Sequence, residues 1–550
     1  MSRLLGSSFA LLVLMPSVKA QAGSTSITPE TPPMLRQIPP VAVPGRPYLT
    51  FYRFGYDAAL VTRSGDFDRD GDPDVIIGPL SGVPPRLLLN DGNGRLTEVT
   101  DTHMPNLTTN IVMQGMTVDL DGDGDLDFLG ANYSSNYLSG LWLPATILDN
   151  DGTGHFTDVS AQRGIIASYS HPYIFSSSCA AADFDGDGDV DIVLSGGGIA
   201  GLGRLSCRLW RNDGSGRFAY DASGFPNDPG YRADELGDLL SADLDGDGDI
   251  DLASPGTANG MALWINDGTG HFTDATTTNL HPAPSQYVFR TVALGDVDGD
   301  GDLDIAASRC CVLDVPFLFL NDGRGQFLEV SATQMPSNSD SGDSLQFADF
   351  DDDGDLDLLS VIRPNHITRF PGEEQLLLNN GWGWFTLDAE RRFFGTNPNG
   401  YVADLVTEDF DADGDVDVIY GSNIAQPTPP QRLPYYLNTH RHTYAPDPPR
   451  RGATWRVKLC GPVASTGVLA IAFAPGGTPI PSLGRLGLDP GTLQLWPTAV
   501  TIRNEREAPI DVPISNLPLL LGMPIYVQGL LNEPQRGWRL TNVWVEDAIR

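Results

Sequence analysis

Nine consecutive residues of this chain hold five carboxylates: Asp183, Asp185, Asp187, Asp189 and Asp191, interleaved with Phe184, Gly186, Gly188 and Val190. Like charges packed this closely repel one another and resist ionisation unless a cation offsets them. The alternation suits a tight loop. Asp183, Asp185 and Asp187 turn inward, Gly188 supplies the bend, the Asp189 carbonyl points inward, and Asp191 closes a cage. Hard oxygen donors suit Ca²⁺, which takes about 6–8 of them at roughly 2.3–2.6 Å. Mg²⁺ demands a smaller octahedron and keeps its waters, so it is the poorer fit.

The pattern occurs seven times. The other copies are Asp66, Asp68, Asp70, Asp72 and Asp74; Asp119, Asp121, Asp123, Asp125 and Asp127; Asp243, Asp245, Asp247, Asp249 and Asp251; Asp296, Asp298, Asp300, Asp302 and Asp304; Asp349, Asp351, Asp353, Asp355 and Asp357; and Asp409, Asp411, Asp413, Asp415 and Asp417. The expected cofactor is therefore Ca²⁺, up to seven ions. A cage with four carboxylates leaves few coordination places open, so the metal is expected to staple the chain and not to meet a ligand. A helix–loop–helix calcium site would need a bidentate Glu at position twelve. Leu194 stands there in the copy that begins at Asp183, and the residues after each loop are β-rich, as in Asp191-Ile192-Val193-Leu194.

The elements that must position the loops repeat with them. A short apolar strand enters each loop and a second leaves it. A third strand then ends at an Asn-Asp-Gly-x-Gly turn, at Asn90, Asn150, Asn212, Asn266 and Asn321. Asp-Gly between two β runs signals a hairpin, because Gly accepts positive φ. The turn is altered to Asn379-Asn380-Gly381-Trp382-Gly383 in the sixth copy and has degenerated at Asn438 in the seventh. Each unit thus reads as a four-stranded antiparallel meander. The loops recur every 53 to 64 residues, which fits a propeller blade. The predicted fold class is all-β: a closed seven-bladed β-propeller with calcium loops over residues 48–446, then a small C-terminal β-sandwich-like domain over 452–550. Residues 48–54 are a candidate for the last outer strand.

The Asp-x-Asp-x-Asp-Gly-x-x-Asp loop with its downstream Asn-Asp-Gly-x-Gly-x-Phe hairpin resembles the FG-GAP or VCBS-type repeat over about residues 56–446. That resemblance implies an integrin-α-like seven-bladed propeller of the secreted bacterial type. It also implies Ca²⁺ held by the side chains at positions one, three, five and nine with the position-seven carbonyl, and cell adhesion or ligand binding more often than catalysis.

The rest of the chain sets bounds. The formal charge is −37, and the loops hold about half of the 71 acidic residues. That argues against a nucleic-acid partner, which wants a basic face. Residues 1–20 read as a signal peptide: Met1-Ser2-Arg3, an apolar run from Leu4 to Met15, and Val18-Lys19-Ala20 before the cleavage site. The Pro-rich residues 21–47 read as a linker, and 447–451 as another. No later stretch is apolar enough to span a membrane. The expectation is a secreted monomer. Cys179 and Cys207 could pair; Cys310, Cys311 and Cys460 complete an odd set of five.

No catalytic signature is present. Gly342-Asp343-Ser344-Leu345 imitates a lipase motif but falls where each repeat has its first strand. His155 and His271 occupy a position that varies between hairpins. Trp142, Trp210, Trp264, Trp382 and Trp384 could stack on sugar rings, though core or hairpin packing is the commoner use. The chain is expected not to be an enzyme but to bind an extracellular protein or glycan. A lectin is the alternative. A polysaccharide lyase is weaker, since the only lysines are Lys19 and Lys458.

Overall fold

In the computed structural model, residues 61–546 are described except for the longer connections (79–84, 108–111, 133–144, 166–175, 197–205, 226–238, 256–259, 283–286, 310–313, 362–373, 389–400 and 424–434), shorter breaks beyond residue 438 and scattered single positions; before residue 61 only the strand Leu35–Gln37 is described. The expected signal peptide and the candidate strand 48–54 lie outside the described residues, as do Cys310 and Cys311.

The chain is all-β with antiparallel sheets, and each Asp loop joins the first two strands of one sheet. The third sheet is typical: Ser178–Ala182, Asp191–Gly196, Ser206–Asn212 and Phe218–Asp221 pair in chain order. Described helices in the repeats are single turns, such as Ser331–Gln334 after the fourth strand of the fifth repeat. Among the described residues, no helix is long and apolar enough to cross a membrane.

The strand that leaves each loop is an unbroken apolar run, as in Asp74–Ile77, where all four residues are buried. Such a run marks a strand covered on both faces. Alternate residues serve opposite neighbours. Ile192 packs with Leu129 and Ile147 of the second repeat, whereas Val193 packs with Leu252 and Trp264 of the fourth. The same sharing joins each described sheet to the next, through to Leu359 and Val418 in the sixth and seventh. The residue at loop position two adds to it: Phe67 meets Phe156 of the next repeat edge-on at 5.6 Å between ring centroids, and Phe184 meets Phe272 at 5.4 Å.

Hydrogen bonds reinforce this succession and carry it from the seventh sheet to the first. The hairpin Asn does most of it. Asn150 Nδ2 donates to the Phe67 carbonyl of the preceding loop at 2.9 Å and to Leu126 of its own at 3.2 Å. Asn212, Asn266, Asn321 and Asn379 do the same toward Leu120, Phe184, Leu244 and Val297. Asn90 reaches across the sequence to the Phe410 carbonyl at 2.8 Å. Thr62 N and Ser64 Oγ donate to Asp404 and Glu408 of the seventh repeat.

The fourth strand of the seventh sheet is not downstream at all. Leu35–Gln37, inside the stretch read as a linker, pairs antiparallel with Tyr435–Asn438. The degenerate hairpin at Asn438 is thus replaced by a strand from far upstream. A second boundary also moves. Thr443–Tyr444, placed by sequence within the repeats, pairs with Thr454–Cys460 of the C-terminal region. There, Thr454–Cys460 pairs with Glu507–Pro513, and Thr466–Ala472 pairs with Ile525–Glu533. Trp455, Val457 and Leu459 of one sheet share an apolar core with Leu469, Ile471 and Val527 of the other.

Cys179 pairs in register with Leu194, and Cys207 with Ser195, so a whole strand separates the two cysteines. Ser344 opens the strand Ser344–Ala348, as the position of the lipase-like motif required.

Asn150→Ala should leave two carbonyls without their donor between repeats. The expected loss is about 2–3 kcal/mol of unfolding free energy, at roughly 1 kcal/mol for each lost bond plus the cost of a buried orphan. Denaturant unfolding beside Thr153→Ala, an exposed neighbour, checks it. Equal midpoints for the two variants would remove the interlocking role.

Candidate metal centres

Each Asp loop folds the same way because its backbone bonds to its own carboxylates. The position-one Asp accepts the N–H of position six in all seven copies, from Gly71 to Asp66 at 3.0 Å through Gly188 to Asp183 at 2.9 Å to Gly414 to Asp409 at 2.8 Å. Position six needs glycine: Gly188 has φ +96° and Gly354 +98°. Position four is also left-handed in the described copies: Gly122, Gly186, Gly246 and Gly299 hold it in the second to fifth, Arg69 (φ +61°) in the first and Ala412 (φ +57°) in the seventh.

The ninth residue is buried and ties loop to hairpin. Asp127 Oδ2 accepts from Leu120 N at 3.0 Å, and Oδ1 accepts from Asn150 N at 2.9 Å. Asp74, Asp251, Asp304 and Asp357 repeat this pair of bonds.

The folded loops bring side chains together at positions one, three and five or nine. One oxygen from each of Asp66, Asp68 and Asp70 lies within 4.8 Å of the others, and likewise for Asp119, Asp121 and Asp127, for Asp183, Asp185 and Asp191, for Asp243, Asp245 and Asp251, and for Asp296, Asp298 and Asp300. Several of these oxygens are buried without a hydrogen bond: Asp66 Oδ1, Asp121 Oδ1, Asp191 Oδ2 and Asp298 Oδ1. A buried, unpartnered carboxylate oxygen is costly. A hard divalent cation at the centre of these oxygens satisfies them, and the spacing suits the roughly 2.3–2.6 Å reach of Ca²⁺. The residues present therefore fit that ion.

The position-seven side chains do not join the groups named above. A Cβ on Gly214 would lie 2.7 Å from Asp189 Oδ2, and Gly92, Gly152, Gly268, Gly323 and Gly381 crowd Asp72, Asp125, Asp249, Asp302 and Asp355 in the same way. The seventh carboxylate thus seats on its own hairpin, which is why that turn needs glycine.

Sequence reasoning missed two groups. The hairpin Asn was read as a turn former, yet it bonds both its own loop and the preceding one; its unvarying place beside the turn was the available signal. The second group is basic. Arg163 pairs with Asp121 and Asp149 and donates to the Ser215 carbonyl of the next hairpin. Arg211 pairs with Asp185 and Asp221 and donates to the Thr269 carbonyl of the next hairpin. These arginines hold one oxygen of a position-three carboxylate. Nothing in their spacing repeats, so no motif reveals them.

Burial raises the ninth carboxyl strongly. Asp74, Asp127, Asp191, Asp251 and Asp304 are pushed up to about 7, and Asp357 to about 8, with backbone N–H bonds pulling back only in part. His155 and His271 bond Thr153 and Thr269 within their own turns. Trp210 and Trp264 are core residues, whereas Trp382 and Trp384 are exposed; Trp142 lies outside the described residues.

Comparison with known proteins agrees with the repeat. The FG-GAP-like repeat matches residues 66–130, 119–194, 243–307 and 314–360. None of the curated proteins matches the chain in sequence. Similar solved structures include an exo-β-1,3-galactanase from Phanerochaete chrysosporium, at 9% identity and TM-score 0.26 over 88% of this chain and 95% of that one. A GH32 β-fructofuranosidase from Bombyx mori has 10% identity and TM-score 0.27, over 78% and 85%. A fructofuranosidase from Schwanniomyces occidentalis has 10% identity and TM-score 0.29, over 68% and 91%. These neighbours correct the expectation that the chain is not an enzyme, since all three are glycoside hydrolases. At such TM-scores no activity passes from them to this chain.

Metal-free protein should show an inverted pH response. A carboxyl raised from 3.8 to about 7 in the fold, as at Asp191, stabilises the fold fully below about pH 4, and that stability is lost as pH rises through 7. After exhaustive chelation, the melting temperature of the repeats should therefore be higher at pH 5.5 than at pH 8. Scanning calorimetry at constant ionic strength decides it, and a melting temperature that falls on acidification would refute the assignment.

Proposed function

We propose that this chain, which carries FG-GAP-like repeats, is a secreted, calcium-stabilised seven-bladed β-propeller that binds an extracellular ligand. The observation that carries the reading is the recurrence of one cage geometry, with buried carboxylate oxygens left unpartnered at its centre. The seven sheets, each sharing apolar residues or hydrogen bonds with the next, support the ring. Asn90 to Phe410 and Thr62 to Asp404 support its closure. Closure removes exposed sheet edges. The N-terminal apolar run supports export, and millimolar extracellular Ca²⁺ would fill sites of modest affinity.

Calcium's chemistry here is charge neutralisation. The chain's own part is done by the position-one, -three, -five and -nine carboxylates with the position-seven carbonyl, held by the N–H groups of positions four and six and by the hairpin Asn. Each filled cage fixes the turn between the first two strands of a blade. The antiparallel order then puts the Asp loops and the Asn-x-Gly hairpins at one end of the first six sheets. The remaining connections lie at the other end, where loop variation commonly carries ligand recognition. A protein or a glycan ligand is compatible with this arrangement, and adhesion is the first role to test.

Metal analysis of protein purified in mixed Ca²⁺ and Mg²⁺ should find several Ca²⁺ per chain, up to seven. Saturating each site at ten times its dissociation constant adds about 1.4 kcal/mol by mass action. Chelation should therefore lower the main unfolding transition by many degrees, and Asp187→Ala with Asp191→Ala should remove a single ion. One ion or none, or a transition unmoved by chelator, would sink the reading.

A further inference from the structure

The hairpin of the sixth repeat departs from its siblings in a way that folding does not require. In the second to fifth repeats, the turn carries Asp151, Asp213, Asp267 or Asp322, followed by polar residues at the next two variable places: Thr153 and His155, Ser215 and Arg217, Thr269 and His271, Arg324 and Gln326. The sixth has Asn380, Trp382 and Trp384 at the corresponding places. The backbone job is unchanged. Asn380 Oδ1 accepts from Trp382 N at 3.1 Å and Trp384 N at 3.4 Å, as Asp322 Oδ1 accepts from Arg324 N at 3.0 Å and Gln326 N at 3.3 Å. The change removes a charge and adds two indoles without altering the turn.

Both indoles face solvent. Trp382 is 72% exposed and Trp384 49%, among the few large apolar side chains so placed in the described residues. Trp210 and Trp264, by contrast, are 3% and 4% exposed. The support beneath them is firm. Gly383 N and Asn379 Nδ2 both donate to the Val297 carbonyl, at 2.9 and 2.7 Å, and Phe385 N donates to the Gln334 carbonyl at 2.9 Å. Leu328, also exposed, is paired with Leu320, which lies beside Gly383, so register places it on the same face of the neighbouring sheet.

We propose that Trp382 and Trp384 form an aromatic platform for a neutral carbohydrate. This rests on the reading of the chain as an extracellular ligand binder and names the ligand class and contact. A sugar ring offers an apolar C–H face to an indole and hydroxyls to surrounding amides and carboxylates, and a rigid aromatic loses little entropy on binding. Loss of the carboxylate at Asn380 disfavours a cationic partner, which would gain from keeping it. The chain's −37 charge disfavours uronic polymers and nucleic acid. A protein interface would need roughly 800 Å² per partner around a central anchor, whereas this pair stands on a single hairpin tip with polar turns on the sibling repeats.

The test uses full-length, calcium-loaded protein. It is probed with neutral oligosaccharides of glucose, galactose, mannose, xylose and arabinose, beside uronic and glucosamine oligomers. A neutral oligosaccharide should bind and perturb tryptophan emission. Trp382→Ala with Trp384→Ala should weaken it at least tenfold without moving the unfolding midpoint, Phe at both places should restore part of the affinity, and Thr269→Ala with His271→Ala should change nothing. Binding undiminished by the double substitution, binding of charged oligomers alone, or use of the pair for a protein partner without any glycan would each overturn the platform. The cages are judged separately by metal content and chelation, so either reading can fail without the other.

Discussion

The structure depends on one buried carboxylate per repeat. Asp127 and its equivalents sit at the start of the second strand, in the core between sheets. In most copies one oxygen takes the position-two N–H, which folds the loop back, and the other takes the hairpin Asn N–H, which fixes the third strand to the second. That Asn then bonds the preceding loop. A single acidic position thereby connects loop, hairpin and neighbouring repeat. Apolar packing between sheets is larger in area but is non-directional, so register is left to these polar contacts.

The same position makes the loop electrostatically poised. Three carboxylate oxygens within 4.8 Å repel by about 3 kcal/mol per pair at an effective dielectric near 20. Against this, the third loop sets the N–H groups of Gly186, Asp187 and Gly188 on Asp183 and that of Asn212 on Asp191. Hydrogen bonds to charged groups contribute about 1.5–3 kcal/mol each. The two sums are of similar size, so the loop's backbone geometry alone does not settle its ionisation. Protons or a cation must tip it, and the ninth carboxyl, raised toward neutral pH by burial, shows how close the balance lies. Arg163 and Arg211 supply part of the missing charge in the second and third repeats by holding an outer oxygen.

Much of this was legible in the chain. Short apolar runs, Asp-Gly turns and sevenfold recurrence mark out the meander, because each can be read locally in the chain. The gathering of carboxylates at positions one, three and five or nine was legible, since the spacing itself turns them inward. What escaped depends on long-range contact. The pairing of Leu35–Gln37 with Tyr435–Asn438 joins segments some 400 residues apart in a stretch whose prolines argue for an extended linker. Thr443–Tyr444 changes sheets because its partner, Thr454–Cys460, is itself identifiable only as a strand, not by its neighbour. The role of Asn150 was hidden because the same residue is also a good turn former, so the local explanation looked sufficient.

Repetition makes departures interpretable. Where seven copies share a backbone solution, a residue that varies while every hydrogen bond persists is not explained by folding. Position four illustrates the opposite case: Arg69 and Ala412 keep a left-handed conformation that favours glycine, so the loop imposes its geometry even against side-chain preference. A backbone strict enough to hold Arg69 at positive φ is strict enough to present whatever its turns carry at a fixed place. The end of the sheets where the Asp loops and hairpins bond one another is thus more than a clamp. Its hairpin tips are rigid mounts, and their side chains are free to differ from repeat to repeat in ways that the fold neither demands nor penalises.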